Sequence, residues 1–377
     1  MARRPARLPN GTRISDYVSL GVLTTTVPAA LIDAVLTDTG RQSRRHRQLP
    51  ARLVVYYVMA LALYAQASYN EVLRCLLEGV RWLRLGGNEA AGADKSAISK
   101  ARTRLGPAPL KELFGRVARP FAEAKTVGAW YRGPRLVSLD GTTIDLPDTP
   151  DLERHFGRPA ASRGVSSCPQ LRLLTLVETG THAIFVVAVD RYDSSEVGLA
   201  PPLLEQLQAG MLCLADISFE LWRVRKNQVL PCHQRLPDGS YLSRLYASPK
   251  HRRQDQDGLL VRVIDYRLEG VPDAEPLYRL IRTLLDPVAA PARELAALYH
   301  ERWESEGTFA ELKVTLPGQR LMLRSRRADL AEQELYGLLL RPGASLLHPH
   351  GAHRAAASAA PCRVFPRGSA AGCVTSF

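Results

Sequence analysis

Apolar residues recur along this chain at two spacings, and the change of spacing divides it. Up to about residue 125 the repeat is helical. A helical stretch runs to about residue 38. The densest apolar run, Leu53–Ala67 (LVVYYVMALALYAQA), is too short to span a bilayer comfortably and predicts a buried helix over about 51–66. Ser68 and Glu71 then fit the S-x-x-E box that opens a helix, EVLRCLLEGVRWL. A Gly/Ala loop (85–94) leads to KSAISKARTRLG (95–106), a short basic helix stopped by Gly106-Pro107. Helix, Gly-rich turn and basic helix together resemble a helix-turn-helix reader. A further helix is predicted from about 108 to 125.

From residue 135 the spacing becomes that of strands. RLVSLDGTTIDL (135–146) reads as strand, Asp-Gly turn, strand. LRLLTLVETG (171–180) and HAIFVVAVD (182–190) read as a hairpin, followed by a helix near 196–209. MLCLAD (211–216) is a continuous apolar run of the kind buried on both faces. Residues 217–276 read as irregular β structure, with strands near 241–247 and 259–266. LYRLIRTLLD (277–286) is one more strand, and a helix covers about 290–314. The fold class is therefore α/β, preceded by an all-helical part.

Composition adds little to this: 46% apolar and 23% charged residues are ordinary for a globular protein of 377 residues. Charge adds more. Net charge is +13, and residues 1–135 carry 22 Lys and Arg against 9 Asp and Glu, so the excess lies entirely there. A basic N-terminal third suggests a polyanion-docking part ahead of an acidic working part. The clusters that could grip phosphates are Arg44, Arg45 and Arg47 in the loop 41–50, and Lys95, Lys100, Arg102 and Arg104 on the basic helix. A solvated surface is the plain alternative for both. Six scattered cysteines without a C-x-x-C pair signal neither a zinc site nor a disulfide framework. No secretory signal pattern opens the chain, and a reducing, cytoplasmic setting fits.

Two acids follow apolar strand runs: Asp140 after LVSL and Asp216 after MLCLA. A carboxylate fixed at a buried strand end needs a counter-ion, which a divalent metal can supply; an ordinary turn aspartate is the alternative. The third element is the helix YHERWESEGTFAELK, 299–313. At about 100° per residue, Tyr299, Arg302, Glu306 and Lys313 share one narrow face, while Glu301 and Glu304 point elsewhere. A solvated face with helix-spaced ion pairs is the competing reading.

Tyr299, Arg302, Glu306 and Lys313 match Y-x-x-R-x-x-x-E-x-x-x-x-x-x-K, which resembles the signature of the insertion-sequence-four family of DDE transposases. Asp140 within LVSLDGTTIDLPDTP and Asp216 within LCLAD resemble that family's aspartate motifs. SLGVLTTTVPAALIDAVL, LPARLVVYYVMALAL and KSAISKARTRLG resemble its helical N-terminal domain. The resemblance covers roughly residues 14–340. It implies an RNase H-like catalytic core with a β insertion, preceded by the helical DNA-binding domain. It implies two Mg²⁺ ions, replaceable by Mn²⁺, held by Asp140, Asp216 and Glu306, which form the catalytic set. Arg302 and Lys313 would hold phosphates of double-stranded DNA at terminal inverted repeats and target. Tyr299 would bond or stack on a terminal nucleotide, and Trp303, with Tyr278 as a weaker candidate, would pack an unstacked base. Pairing two DNA ends implies a dimer in the synaptic complex, associated with the nucleoid and not with a membrane. The expected layout is a basic arm (1–13), a helical domain (14–125), a first core part (132–216), a shortened β insertion (217–276), a second core part (277–340) and a tail (341–377).

Two departures qualify the resemblance. Relatives usually follow the second aspartate with Arg-Gly-Phe, then a helix and a strand; here Asp216 runs into Ile217-Ser218-Phe219-Glu220-Leu221-Trp222, which reads as an internal deletion. The tail is rich in Ala, Pro, Arg, Gly and Ser without helical periodicity, and is expected to be disordered. The alternative function is accordingly an inactive remnant that only binds DNA.

Overall fold

The computed structural model describes residues 23–45, 47–64, 67–82, 94–161, 164–165, 168–215, 221–223, 229–246, 249–256, 258–267, 277–282, 285–301 and 322–340. Its N-terminal part is helical: α1 (Ala29–Asp38), α2 (Ala51–Leu63), α3 (Tyr69–Trp82), α4 (Lys95–Leu105) and α5 (Ala108–Val117). Helix α2 is the hub. Every residue from Val54 to Leu61 is buried, because α1, α3 and α4 surround it. Helix α3 opens as its sequence indicates, with Ser68 Oγ accepting from Glu71 N at 3.2 Å. Glu71 completes no reciprocal box; its carboxylate instead takes Arg74 Nε at 2.9 Å. Helix α4 is capped by Asp94, which accepts from Ala97 N at 2.6 Å, and stops at Gly106, whose φ of 68° suits glycine.

Helix α5 is shorter than its apolar spacing predicts. It ends at Val117, with Ala118 already extended at ψ 116°, and Pro120 disfavours helix at Arg119, the residue before it. The freed amides of Phe121 and Ala122 both donate to Glu178 Oε2 at 2.9 Å.

The remaining elements are β1 (Arg135–Asp145), α6 (Pro150–Phe156), β2 (Ala160–Ala161), β3 (Gly164–Val165), β4 (Gln170–Glu178), β5 (Ala183–Arg191), α7 (Glu196–Leu204) and β6 (Met211–Ala215). Then follow β7 (Leu221–Arg223), β8 (Gln234–Arg235), β9 (Tyr241–Leu245), α8 (Pro249–Arg253), β10 (Leu259–Tyr266), β11 (Tyr278–Arg282), α9 (Ala292–Glu301) and α10 (Ala328–Leu339). Nine strands form one sheet in the order β5-β4-β1-β6-β7-β11-β10-β9-β8. Strand β4 runs antiparallel to both of its neighbours, β5 and β1; β6 runs parallel to β1, and β7 parallel to β6.

Residues 135–145 are one strand, which corrects the expected Asp-Gly turn. Asp140 and Gly141 pair with Thr175 and Leu174 of β4, and this ladder overrides the local turn preference of the dipeptide.

Helix α10 returns from the far end of the described chain to pack on α2, α4, α5 and α6. Gly337 lies against the backbone of Val58, closer than any side chain would allow. The helices and one face of the sheet share a single apolar core that includes Val58, Leu335, Val137 and Leu139. Leu136, Leu212, Leu214, Leu280 and helix α9, through Leu295 and Tyr299, build a second core on the opposite face. No helix among the described residues is long and apolar enough to cross a membrane.

Candidate active site

Asp140 follows Leu139, which pairs with Ala215 in the parallel ladder between β1 and β6. Alternation along the strand puts Asp140 on the face of Leu136 and Ser138, the face that α9 covers. Burial falls from complete at Ser138 to partial at Asp140. One carboxylate oxygen accepts from Gly141 N at 2.8 Å, and the carbonyl accepts from Thr175 Oγ1 at 3.3 Å. Gly141 faces the other way, and a Cβ there would run into the Glu196 carboxylate. Arg172 Nη1 holds that carboxylate at 2.9 Å.

Helix α9 is fixed at its start by two arginines from different parts of the chain. Arg132, just ahead of β1, grips Glu294 with Nε and Nη2 at 2.9 and 2.8 Å and bonds the carbonyls of Val288 and Ala289. Tyr131 Oη donates to the same carboxylate at 2.9 Å. Hydrogen bonds from Arg132 hold the Glu294 carboxyl below the usual carboxylate range, while burial, followed by the bond to Glu294, pushes Tyr131 up to about 12. From the turn between β8 and β9, Asp238 accepts from Ala292 N at 2.8 Å and pairs with Arg262, which is 0% exposed. Burial raises the Asp238 carboxyl, but bonds from Ser240 and Ala292 and the Arg262 charge outweigh it and leave it lowered. Sequence reasoning passed over both clamps. The available signals were the L-P-D-G-S turn at 236–240 and an arginine inside the apolar strand LLVRVIDY.

Two proposed DNA contacts on this part of the chain are corrected. Tyr299 is 2% exposed within the second core, so its ring packs on the sheet and is not presented to a nucleotide. Tyr278 is 8% exposed and stacks on Tyr266 with ring centroids 5.3 Å apart. Asp216, Arg302, Trp303, Glu306 and Lys313 lie outside the described residues, and so do the arm 1–13 and the tail. Among the described residues no cluster of three acids, histidines or cysteines could hold a metal. Of the predicted ligand set, Asp140 is the member among the described residues, and its carboxylate sits on a partly buried stretch of strand.

The basic candidates of the N-terminal part come together in space. Arg41 Nη1 donates to the Arg104 carbonyl at 3.2 Å. Burial first, and then the nearby Arg47 charge, lower the Arg104 guanidinium below its ordinary value. The loop 41–47 and the end of α4 therefore form one positive patch, with Arg44, Arg45, Arg47 and Arg104 exposed. Lys95 and Lys100 are exposed on the same helix. Arg102 is the exception and a further correction. It is 3% exposed and bonds Gln333 Oε1 at 2.8 Å, Ser325 Oγ at 3.0 Å and the Leu330 carbonyl at 2.9 Å. It ties α4 to α10 and is not available to phosphate.

Residues 131–340 match the family described as transposase DDE domain, and residues 17–115 match insertion element 4 transposase N-terminal. The first match takes in more than half of the chain, which belongs to this family: it is a DDE-type DNA transposase. Proteins of this family act on DNA and generally use divalent metal ions. The chain is 28% identical over 327 residues to the transposase InsG for insertion sequence element IS4 of Escherichia coli (strain K12), covering 82% of this chain and 72% of that protein. It is 27% identical over 197 residues to “Putative transposase InsZ” of the same strain, covering 51% of this chain and 62% of that protein.

Proposed function

We propose that this transposase cuts DNA at the ends of an insertion element and joins the ends to target DNA, using Asp140, Asp216 and Glu306 to hold two Mg²⁺ ions. One observation carries the reading. Asp140 lies on the sheet face covered by α9, and its strand neighbour β6 ends at Ala215, the residue before Asp216. Consecutive Cα atoms are about 3.8 Å apart, so in this reading the pairing of Leu139 with Ala215 would bring the next residues of the two strands toward each other. Tyr299 is buried on that same face, and Glu306 falls within about 20° of Tyr299 around a continuing helix, about 10 Å further along its axis.

The strand order β5-β4-β1-β6-β7, three antiparallel strands followed by two parallel ones, supports an RNase H-like core. In this reading residues 132–216 and 277–340 build the core, 217–276 the insertion, and 14–125 the DNA-binding domain. Bound metal ions would activate a water and stabilise the attacking and leaving oxygens of a phosphodiester. Arg302 and Lys313 hold end phosphates, Trp303 packs an unstacked base, and the Arg44, Arg45, Arg47 and Arg104 patch with Lys95 and Lys100 grips the duplex backbone. Two copies pair two ends.

The test is nicking of a terminal inverted repeat by the purified protein in Mg²⁺. Asp140→Ala, Asp216→Ala and Glu306→Ala are each expected to abolish nicking and leave DNA binding intact. Retained cutting in Glu306→Ala overturns the assignment.

One observation favours a second reading, a DNA-binding remnant. Strands β6 and β7 are parallel neighbours, Leu214 beside Leu221 and Ala215 beside Trp222. Such pairs ordinarily need a crossover of about a dozen residues or more, whereas only residues 216–220 separate these two. Metal-independent binding with no cleavage by the wild-type chain would decide for the remnant.

A further inference from the structure

Helix α4 carries the exposed Arg104 on one side and the buried Arg102 on the other. Arg102 is held by directed bonds. Its Nε donates to Gln333 Oε1 at 2.8 Å, and Nη2 donates to Ser325 Oγ at 3.0 Å and to the Leu330 carbonyl at 2.9 Å. Gln333 answers with its own amide, which donates to the carbonyls of Arg102 at 3.2 Å and Gly106 at 2.9 Å. The last carbonyls of an α-helix have no intrahelical partners, so Gln333 caps α4 from α10.

Ser325 belongs to a strap, residues 322–327, that leads into α10 and is bonded along its length. Leu323 N donates to the carbonyl of Asp145, the last residue of β1, and Met322 bridges to the same residue; the bond is 3.3 Å long. Arg324 Nη1 donates to the Ala67 carbonyl at 2.6 Å, and its guanidinium stands 4.6 Å from the centre of the Tyr69 ring. Thr149, the N-cap of α6, donates from Oγ1 to the Arg326 carbonyl at 3.0 Å. Glu334 of α10 accepts the amides of Arg324 and Ser325 at 3.0 and 2.9 Å. The path from α4 to β1 is therefore short: Arg102, Ser325, Leu323, Asp145. Asp145 keeps its place in the ladder opposite Gln170 of β4. Asp140 stands on that same strand, which advances about 3.3 Å per residue.

The helices and the sheet also share an apolar core, but apolar burial is non-directional and does not by itself fix one register. A buried guanidinium with all of its partners in place does. We infer that Arg102, Gln333 and Ser325 are positioning residues: through the strap they fix the DNA-gripping end of α4 against the end of β1, and so set which phosphodiester of a bound DNA end reaches Asp140. The inference rests on the proposed DNA grip of the Arg104 patch and the proposed role of Asp140.

The test compares Arg102→Lys, Ser325→Ala and Leu338→Val with wild type and Asp140→Ala. Three quantities are read: the position of nicks on a terminal-repeat duplex at single-nucleotide resolution, the affinity for that duplex, and amide exchange at Leu323. Lysine keeps the charge of Arg102 but lacks the planar fork that spans its acceptors. For Arg102→Lys we expect faster exchange at Leu323 and unchanged affinity. Because a misplacement of about 1 Å can cost about a hundredfold in rate, nicking at the wild-type phosphodiester should fall about tenfold or more, with new nicks at its neighbours. Ser325→Ala, a smaller change, moves each quantity in the same direction. Leu338→Val loosens α10 within the core without touching the strap, so it lowers the melting temperature and keeps the nick in place. A single wild-type nick position in both Arg102→Lys and Ser325→Ala, at whatever rate, overturns the inference. Cutting retained in Asp140→Ala, or no cutting by the wild-type chain, overturns the parent reading and the inference with it.

Discussion

Arg102 and Arg104 lie two residues apart on one helix and have opposite surroundings. Arg102 is enclosed by Gln333, Ser325 and the Leu330 carbonyl, whereas Arg104 is exposed beside Arg41 and Arg47. Arg102→Ala would strand several buried acceptors, and is expected to cost about 2–4 kcal/mol of stability. Arg104→Ala is expected to leave the melting temperature nearly unchanged. It should weaken DNA binding and reduce the slope of log affinity against log salt by about 1. Thermal melts paired with salt-dependent binding check both. A lower salt slope for Arg102→Ala at equal folded fraction would reverse the assignment. Tyr299 carries the same lesson. Its helical angle relative to Glu306 is readable from spacing, but which side of the helix meets the sheet is set by Leu136, Leu212 and Leu214, residues far away in the chain.

Elements were legible where their own ends carry the signal. Helix α4 has Asp94 and Gly106, and α2 has an unbroken apolar run, so both lie where the sequence indicates. Strand β1 was misjudged because the Asp140-Gly141 dipeptide favours a turn and only the ladder to β4 denies it. The docking of α10 onto α2 has no local sign at all, apart from Gly337. There a Cβ would stand 2.8 Å from both Cγ1 and the backbone O of Val58. Helix propensity favours Ala over Gly by about 1 kcal/mol, but a backbone oxygen cannot step aside as a side-chain tip can, and overpacking costs about 1–3 kcal/mol. Gly337→Ala is therefore expected to destabilise on balance. Urea denaturation checks this, and a gain in the midpoint would mean that α2 and α10 separate easily. Of the candidate site, the residue types and their helical spacing were legible; the clamps on α9 were not, since Asp238 with Arg262, and Arg132 from ahead of β1, reach the helix start only in the folded chain.

At the scale of the whole molecule, the positive first third does not stand apart from the rest. Its helices share one core with the sheet face of Val137 and Leu139, and α10 closes over them from the far end of the described chain. The positive patch around Arg104 lies two residues from Arg102, whose partners Ser325 and Gln333 belong to the far end of the described chain. The link from β6 to β7 stands out in this frame. Five residues separate two neighbours that run the same way, fewer than such a crossover ordinarily takes. Doubling the length of an ordinary surface loop costs about 0.6 kcal/mol of closure entropy. Splicing a helix-sized segment into this tether is expected to do the reverse and raise the melting temperature. The lengthened chain should then outlast the present one in a thermal melt, and an equal or lower melting temperature would show that the short link carries no strain.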